Sequence, residues 1–459
     1  MKSQKSKKIS RRDFIEISAL TIGGLTVVPA HTVSGLGHVA PSDKLNIAGI
    51  GIGGMGRADL EDVAKTENIV ALCDVDWNNS VSSVFNTYPN AKRYKDYRIM
   101  LEKQKDIDAV IVATPDHTHA IISMEAIRRS KHVYTEKPLT HTVYEARMLT
   151  EAARKYKVAT QMGNQGQASD GPRRLKEIID DGAIGAIHEV HVWTDRPNRG
   201  LADTYWPQGV RRPEDMPPVP ESLDWDLFIG PAPLRPYHPS YHPFRWRGWI
   251  DYGTGALGDI GCHSFDSVFR ILKLKYPTSI QGTSTLVNGE SYPLGSMVTY
   301  DFPARENMPP LRLIWYDGGL RPPRLADMDL KDQMGAGGVL YIGSKGKILS
   351  NHILPQSLNN SYTKPEPYIK SSPGHRQEWI NACKGGEPAG SNFDWAGPLT
   401  ETVLLGNIAL RPELREKMSF QNLNFDPEKL AFPNMPEADQ FLHYEYRDGW
   451  KLQLTLYTK

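Results

Sequence analysis

Six residues, Gly51-Ile52-Gly53-Gly54-Met55-Gly56, stand directly after the apolar run 45–50 and before a helical period at 57–65. Glycines spaced G-x-G-x-x-G between a strand and a helix leave a chain few folds to choose from. The first permits a tight turn, the second lets backbone approach a pyrophosphate, and the third lets helix and strand pack closely. The helix N-terminus then offers amide donors to phosphate. The next apolar run, 69–73, ends in Asp74, 18 residues past Gly56. A carboxylate there accepts the hydroxyls of an adenosine ribose and repels a 2′-phosphate, so NAD is expected over NADP.

Short apolar runs and helical periods keep alternating after Asp74. Strands are expected at 109–113, 132–135 and 158–162, with helices at 119–129 and 143–156. Strand–helix alternation with short connections implies a parallel sheet covered on both faces. The fold class is α/β, with a doubly wound Rossmann domain over residues 43–165. Residues 166–459 are expected to form a substrate-binding α+β domain with a C-terminal tail. Its consecutive candidate strands (187–193, 279–286, 297–302, 311–315, 338–343 and 347–350) suggest a mainly antiparallel open sheet. Helices are expected near 173–181, 257–274, 375–383 and 398–410. The stretch 194–252 has no periodicity but is dense in Pro, Trp, Tyr and Arg. Aromatics at that density argue for order, and so long an irregular segment argues for function.

Composition removes several functions. Lys and Arg total 54 against 53 Asp and Glu, a net charge of +1, which gives no reason to expect a nucleic-acid partner. Cys73, Cys262 and Cys383 are widely spaced and odd in number, which excludes a disulfide framework and a zinc ribbon. No metal is expected. Residues 1–35 differ from the rest: Lys2, Lys5, Lys7 and Lys8 lead into Arg11-Arg12-Asp13-Phe14-Ile15, an apolar stretch to about residue 28, then small residues around Ala30. That layout resembles a twin-arginine signal peptide, which exports folded proteins, so a periplasmic location without a stable membrane anchor is expected.

Three further motifs fall at expected strand or helix ends. Thr114, Pro115, His117 and His119 form Thr-Pro-x-His-x-His after the 109–113 strand, on the ligand side of an open sheet. Glu136-Lys137-Pro138 ends the next strand. Residues 253–263 read Gly-x-Gly-x-x-Gly-Asp-x-Gly-x-His, which includes Asp259 and His263. In this order the motifs resemble the glucose–fructose oxidoreductase/inositol dehydrogenase (Gfo/Idh/MocA) family. Trp206-Pro207-Gln208-Gly209, Trp225-Asp226, 245–249 and Ser391-Asn392-Phe393-Asp394 resemble its exported, sugar-acting branch.

The resemblance implies cofactor contacts from Gly51, Gly53, Gly54, Met55, Gly56, Asp74, Thr114, Pro115, His117, His119, Glu136, Lys137 and Asn164. It also implies that Lys137 lies near the nicotinamide ribose and a substrate hydroxyl, with Asp259 and His263 as an Asp-x-x-x-His pair. The chemistry suits those residues. Positions i and i+4 share a helix face, so Asp259 and His263 can address one ligand. Alcohol oxidation needs a base for the hydroxyl proton while hydride leaves. His263 is the expected base and Lys137 its electrostatic partner, though spacing does not decide which takes the proton first. Asp266, one turn on, is the alternative orienting carboxylate.

Pyranoses are held by aromatic faces and by charged or amide groups at their hydroxyls. Trp206, Tyr237, Trp246 and Arg247 are candidates for that role, with Gln208, His238 and Trp249 nearby in sequence and Gln165 at the expected domain cleft. The expected activity is NAD-dependent oxidation of a sugar or glycoside at a ring hydroxyl, C3 by resemblance. Export would make the cofactor captive, so a second carbonyl or electron acceptor must re-oxidise it. The alternative is a glycosidase that oxidises, eliminates and returns the hydride. A third reading is a non-catalytic, NAD-containing sugar-binding protein. The open sheet and the resemblance imply a homodimer or homotetramer.

Overall fold

The computed structural model of the protein describes residues 43–200, 203–326, 328 and 333–452. The export signal expected at 1–35 lies outside the described residues.

The first sheet contains β1 (Asn46–Ile50), β2 (Asn68–Cys73), β3 (Lys92–Tyr94), β4 (Ala109–Val112), β5 (His132–Thr135) and β6 (Thr160–Met162). All its pairs are parallel and the order is β3-β2-β1-β4-β5-β6. Strand order reverses between β1 and β4, which opens a crevice beyond their C-terminal ends. Helices α1 (Gly54–Val63), α2 (Asn79–Thr87), α3 (Tyr97–Lys103), α4 (Asp116–Arg128) and α5 (Val143–Tyr156) cover the sheet. Local chemistry fixes their starts. Thr142 accepts the Glu145 amide at 3.2 Å while the Glu145 carboxylate accepts the Thr142 amide at 2.9 Å, a reciprocal cap on α5.

After α6 (Asp170–Asp180) the chain forms β7 (Ile187–Trp193), a small ribbon of β8 (Asn198–Arg199) and β9 (Asp203–Thr204), and the short helix α7 (Trp225–Ile229). Next come α8 (Gly255–Leu272), β10 (Ser279–Ser284), β11 (Ser296–Phe302), β12 (Leu311–Tyr316), β13 (Gly338–Gly343), β14 (Lys347–Leu349) and β15 (His352–Leu354). The chain finishes with α9 (Gln356–Ser361), α10 (His375–Cys383), α11 (Phe393–Ala409), α12 (Arg415–Met418) and β16 (Leu423–Asn424). The second sheet runs β15-β14-β13-β7-β12-β11-β10-β16, antiparallel except where β7 meets β12.

One core joins the two sheets: Val133 and Leu149 belong to the same cluster as Phe265, Tyr300 and Val403. A second core beneath β1 and α1 takes in Trp379 and Ile380, so α10 returns from the far end of the chain to pack on the Rossmann sheet. Helix α11 starts at Phe393, ahead of the expected Pro398, because the Asn392 side chain accepts the Asp394 amide and begins the helix there. Among the described residues, no helix is long and apolar enough to cross a membrane.

Candidate active site

The crevice at the strand-order reversal is a cavity of about 390 Å³, whose wall includes Gly53, Gly54, Asp74, Thr114, Pro115 and Lys137. Its glycines divide into two kinds. A Cβ on Gly51, at φ +76°, would stand 2.7 Å from the backbone of Ala113, and one on Gly56 would stand 2.0 Å from the Gly51 oxygen. Above the loop there is room: a Cβ on Gly54 would meet nothing within 4 Å. Closed beneath and open above, this cradle fits a pyrophosphate. The Asp74 carboxylate stands at the end of β2, accepting the amides of Ile52 and Asp76 at 2.9 and 3.0 Å. It marks the adenosine side, and Met55 is half exposed beside the loop.

His117 and His119 do not line this cavity. Both are buried, and their job is to pin backbone. The ring nitrogens of His119 lie 2.8 Å from the carbonyl oxygens of Thr114 and Pro138, tying the Glu-Lys-Pro turn to the Thr-Pro turn. Those of His117 lie 2.9 and 3.2 Å from the carbonyls of Phe228 and Tyr252. The expectation of cofactor contact from these rings is corrected: their neighbours Thr114, Pro115 and Asp116 face the cavity instead.

Lys137, on the cavity's wall, reaches α8, whose Asp259 and His263 are not themselves among the residues lining that cavity. The Lys137 ammonium donates to the Asp259 carboxylate at 2.6 Å and to the Asp259 carbonyl at 2.9 Å. Arg247 donates to the same carboxylate oxygen at 3.1 Å. Burial alone would raise the Asp259 carboxyl, but Lys137 and Arg247 outweigh it and hold the group well below the usual carboxylate range. His263 follows one turn later, solvent-accessible and without a hydrogen bond among the described residues. Crowding by protein, then the Lys137 charge, lowers its pKa to about 4 against the pull of Asp259, so the imidazole is neutral near pH 7. Asp266 is not its partner. That carboxylate is taken by Arg270, by Trp395 and by Asn164 Nδ2 at 2.9 Å. Asn164 is itself buried away from the cavity, and Gln165 turns to Glu136, donating to its Oε1 at 2.7 Å.

The aromatic segment proves to be a small core of its own, including Phe228, Tyr241, Trp246, Trp249 and Tyr252. Trp206 is 2% exposed and donates to Gln208, and Tyr237 packs on Trp225 at 5.3 Å. Neither borders the cavity; of the four proposed sugar-binding residues in this segment, Trp246 and Arg247 do. The physical reason is burial: large aromatics far from a sheet stabilise an irregular segment by packing on each other. This segment also docks on the Rossmann loop after β2. The Trp77 amide donates to Ser222 O at 3.0 Å, the Asp224 amide to Val75 O at 2.9 Å, and His242 to Asp76 at 2.8 Å.

A sequence model described as an oxidoreductase family with an NAD-binding Rossmann fold matches residues 45–164. A second, for that family's C-terminal α/β domain, matches residues 171–283. The chain belongs to the Gfo/Idh/MocA oxidoreductase family.

This family member is 35% identical over 153 residues to the inositol 2-dehydrogenase/D-chiro-inositol 3-dehydrogenase of Lacticaseibacillus casei, covering 32% of this chain and 44% of the relative. It is 32% identical over 146 residues to the inositol 2-dehydrogenase of Salmonella typhimurium, covering 31% of this chain and 43% of that one. The match thus spans less than half the length of these relatives. Among solved structures, the WlbA dehydrogenase of Bordetella pertussis, in complex with NADH and UDP-GlcNAcA, superposes with a TM-score of 0.57 at 16% identity. That alignment covers 83% of this chain and 99% of WlbA. GenD2 from gentamicin A biosynthesis, in complex with NAD, gives 0.55 at 18% identity over 88% and 100%. At such identities the likeness establishes the fold alone.

Sequence reading of this Gfo/Idh/MocA chain passed over three groups near the cavity. Asp116 lines it, and burial lifts its carboxyl to about 7 while the Thr254 hydroxyl, donating at 2.6 Å, opposes. It ties the N-terminus of α8 to the Thr-Pro turn. Asp59 and Arg376 lie behind the glycine loop, 317 residues apart in the chain and 2.7 Å apart in space. No local spacing announces such a pair.

Proposed function

We propose that the protein is an exported, periplasmic dehydrogenase that oxidises a ring hydroxyl of a sugar or glycoside, at C3, with NAD held in the cleft. The observation that carries this reading is Lys137 bound to Asp259 with His263 one turn along the same helix. An ammonium has three donors. Two are spent on Asp259, and the third is free for a substrate oxygen. There the Lys137 charge stabilises a developing alkoxide. His263, neutral and unpartnered among the described residues, accepts the hydroxyl proton. NAD, when bound, takes the hydride from the carbinol carbon. Inositol dehydrogenases, by their name, act on a cyclic polyol, which supports a ring alcohol as substrate class.

Two features support a cofactor that is recycled in place. The twin-arginine pattern suits export of a folded, loaded protein, and the 222–250 segment together with Trp450 walls the cavity opposite the glycine loop. A second carbonyl compound or electron acceptor then re-oxidises it. The open face of the second sheet, with Met297 exposed, is the surface assigned to a homodimer or homotetramer.

The test is incubation of the purified protein with p-nitrophenyl glycosides and a carbonyl acceptor. A keto-sugar product is expected, and Lys137→Ala should lower kcat by about 10²–10⁴-fold with NAD still bound. Release of p-nitrophenol without net redox change would establish the oxidation–elimination glycosidase instead. Bound NAD that no sugar reduces would leave a binding protein.

A further inference from the structure

Charge in the cavity gathers at Lys137 and Glu136, while Tyr97, Ile122, Leu227 and Trp450 make up an apolar part of its wall. A chain of contacts runs from the adenosine side to Trp450. The Asp74 amide donates to the carbonyl of Tyr94, the last residue of β3, at 3.1 Å. Two residues on, Asp96 caps α3 and clamps the Arg98 guanidinium, accepting Nε at 3.0 Å and Nη2 at 2.7 Å. That guanidinium lies 4.4 Å from the centre of the Trp450 ring. Trp450 belongs to the cavity wall and Arg98 does not, so the cation covers a part of the indole that the cavity does not reach.

Trp450 comes from the far end of the chain, and the tail that carries it is latched. The Arg447 amide donates to Pro231 O at 3.0 Å. Its guanidinium donates to Gly230 O at 3.0 Å and to the Asp226 carboxylate at 2.5 Å. The Trp450 amide then donates back to Arg447 O at 3.0 Å, which closes a turn and brings the ring to the wall. Just before the latch, the Tyr446 hydroxyl donates to Glu145 on α5. The tail is thus tied both to the Rossmann domain and to α7, whose Leu227 and Phe228 line the same cavity. Trp450 itself stays partly exposed.

The glycine cradle takes the pyrophosphate and Asp74 the ribose hydroxyls, so the base lies beyond Asp74, on the β2–β3 side of the sheet. Adenine is flat and uncharged at neutral pH, and an indole face suits it better than an ion would. We propose that Trp450 is a cofactor-binding residue whose indole stacks on the adenine of NAD, and that the C-terminal tail, latched by Arg447, is the clamp that keeps the dinucleotide in the cleft. The clamp touches no reacting atom. It sets how long NAD stays and leaves hydride transfer to the groups around Lys137.

The clamp rests on NAD in the cleft and not on the sugar reading, so no substrate enters its test. In the full chain labelled with fluorotryptophan and stripped of NAD, the fluorine NMR signal of Trp450 is identified by its absence in Trp450→Phe. ADP-ribose should shift that signal through the adenine ring current, and nicotinamide mononucleotide should leave it in place. When loaded protein is diluted into an enzyme that consumes free NAD, Trp450→Ala should release NAD about tenfold to hundredfold faster than wild type, and Trp450→Phe within about threefold of it. A signal that ADP-ribose leaves unmoved, or that nicotinamide mononucleotide moves as far, would overturn the stacking. Release from Trp450→Ala at the wild-type rate would overturn the clamp. The fluorine shift is read on the wild type and decides the matter even where Trp450→Ala does not fold. Failure of every sugar to reduce the bound NAD would overturn the substrate reading and leave the clamp standing.

Discussion

The two walls of the cofactor cavity are built by different means. One is the glycine loop, where backbone shape is everything: closed beneath Gly51 and Gly56, open above Gly54. The other is the 222–250 segment, where side chains stack into a small core around Trp249 and Tyr252 and present Phe228, His242 and Trp246 to the cavity. The first wall tolerates no added atom at Gly51 or Gly56. The second tolerates loss at its rim but not at its centre. Binding of NAD should therefore depend steeply on the loop, while folding of the segment depends on its buried aromatics.

Gly56→Ala tests the steeper dependence and should have the largest effect. Its methyl would sit 2.0 Å from the Gly51 oxygen, and a backbone carbonyl in a tight turn has nowhere to go. The purified variant should contain no NAD, measured by releasing cofactor on denaturation. Stoichiometric NAD in Gly56→Ala would show that the loop is not the rigid wall.

Trp249→Ala probes the other wall. Trp249 is 1% exposed, donates to Ser240 O at 2.7 Å and meets the Tyr241 ring edge-on at 5.0 Å. Its loss should cost about 3–5 kcal/mol in denaturant unfolding. A cost below about 1 kcal/mol would mean the aromatics are a surface platform after all, as their sequence alone suggested.

The contrast also explains what was legible beforehand. The glycine loop and Asp74 follow from fixed spacing at strand ends, whereas Lys137, Asp259 and His263 were singled out by the family resemblance; the structure brings Lys137 and Asp259 together at 2.6 Å. His117 and His119 look alike in sequence to ligand pairs, yet the acceptors that give them their role are the carbonyls of Phe228, Tyr252 and Pro138. Two of those partners lie 111 and 135 residues away. Trp206 and Tyr237 carry the composition of a sugar platform, and only packing shows which faces are covered. The short elements α2, β3 and α3 went unread although Val81, Val84, Phe85 and Tyr88 recur at helical spacing.

The smallest effect is expected where the two walls touch. His242 donates to Asp76 at 2.8 Å, and backbone bonds from Trp77 and Asp224 to Ser222 and Val75 continue the seam. Burial would raise the Asp76 carboxyl, but His242, Ser222 and Asn78 outweigh it and keep it below its ordinary range. His242→Leu removes one such bond from a seam that main chain still holds. One hydrogen bond contributes about 1 kcal/mol net, so NAD should leave roughly fivefold faster, with stability nearly unchanged. The release rate can be followed by diluting the loaded protein into an enzyme that consumes free NAD. An unchanged rate would make the aromatic wall a passive cover. Complete loss of NAD, as in Gly56→Ala, would invert the comparison, because the seam and not the loop would then be what holds the cofactor in place.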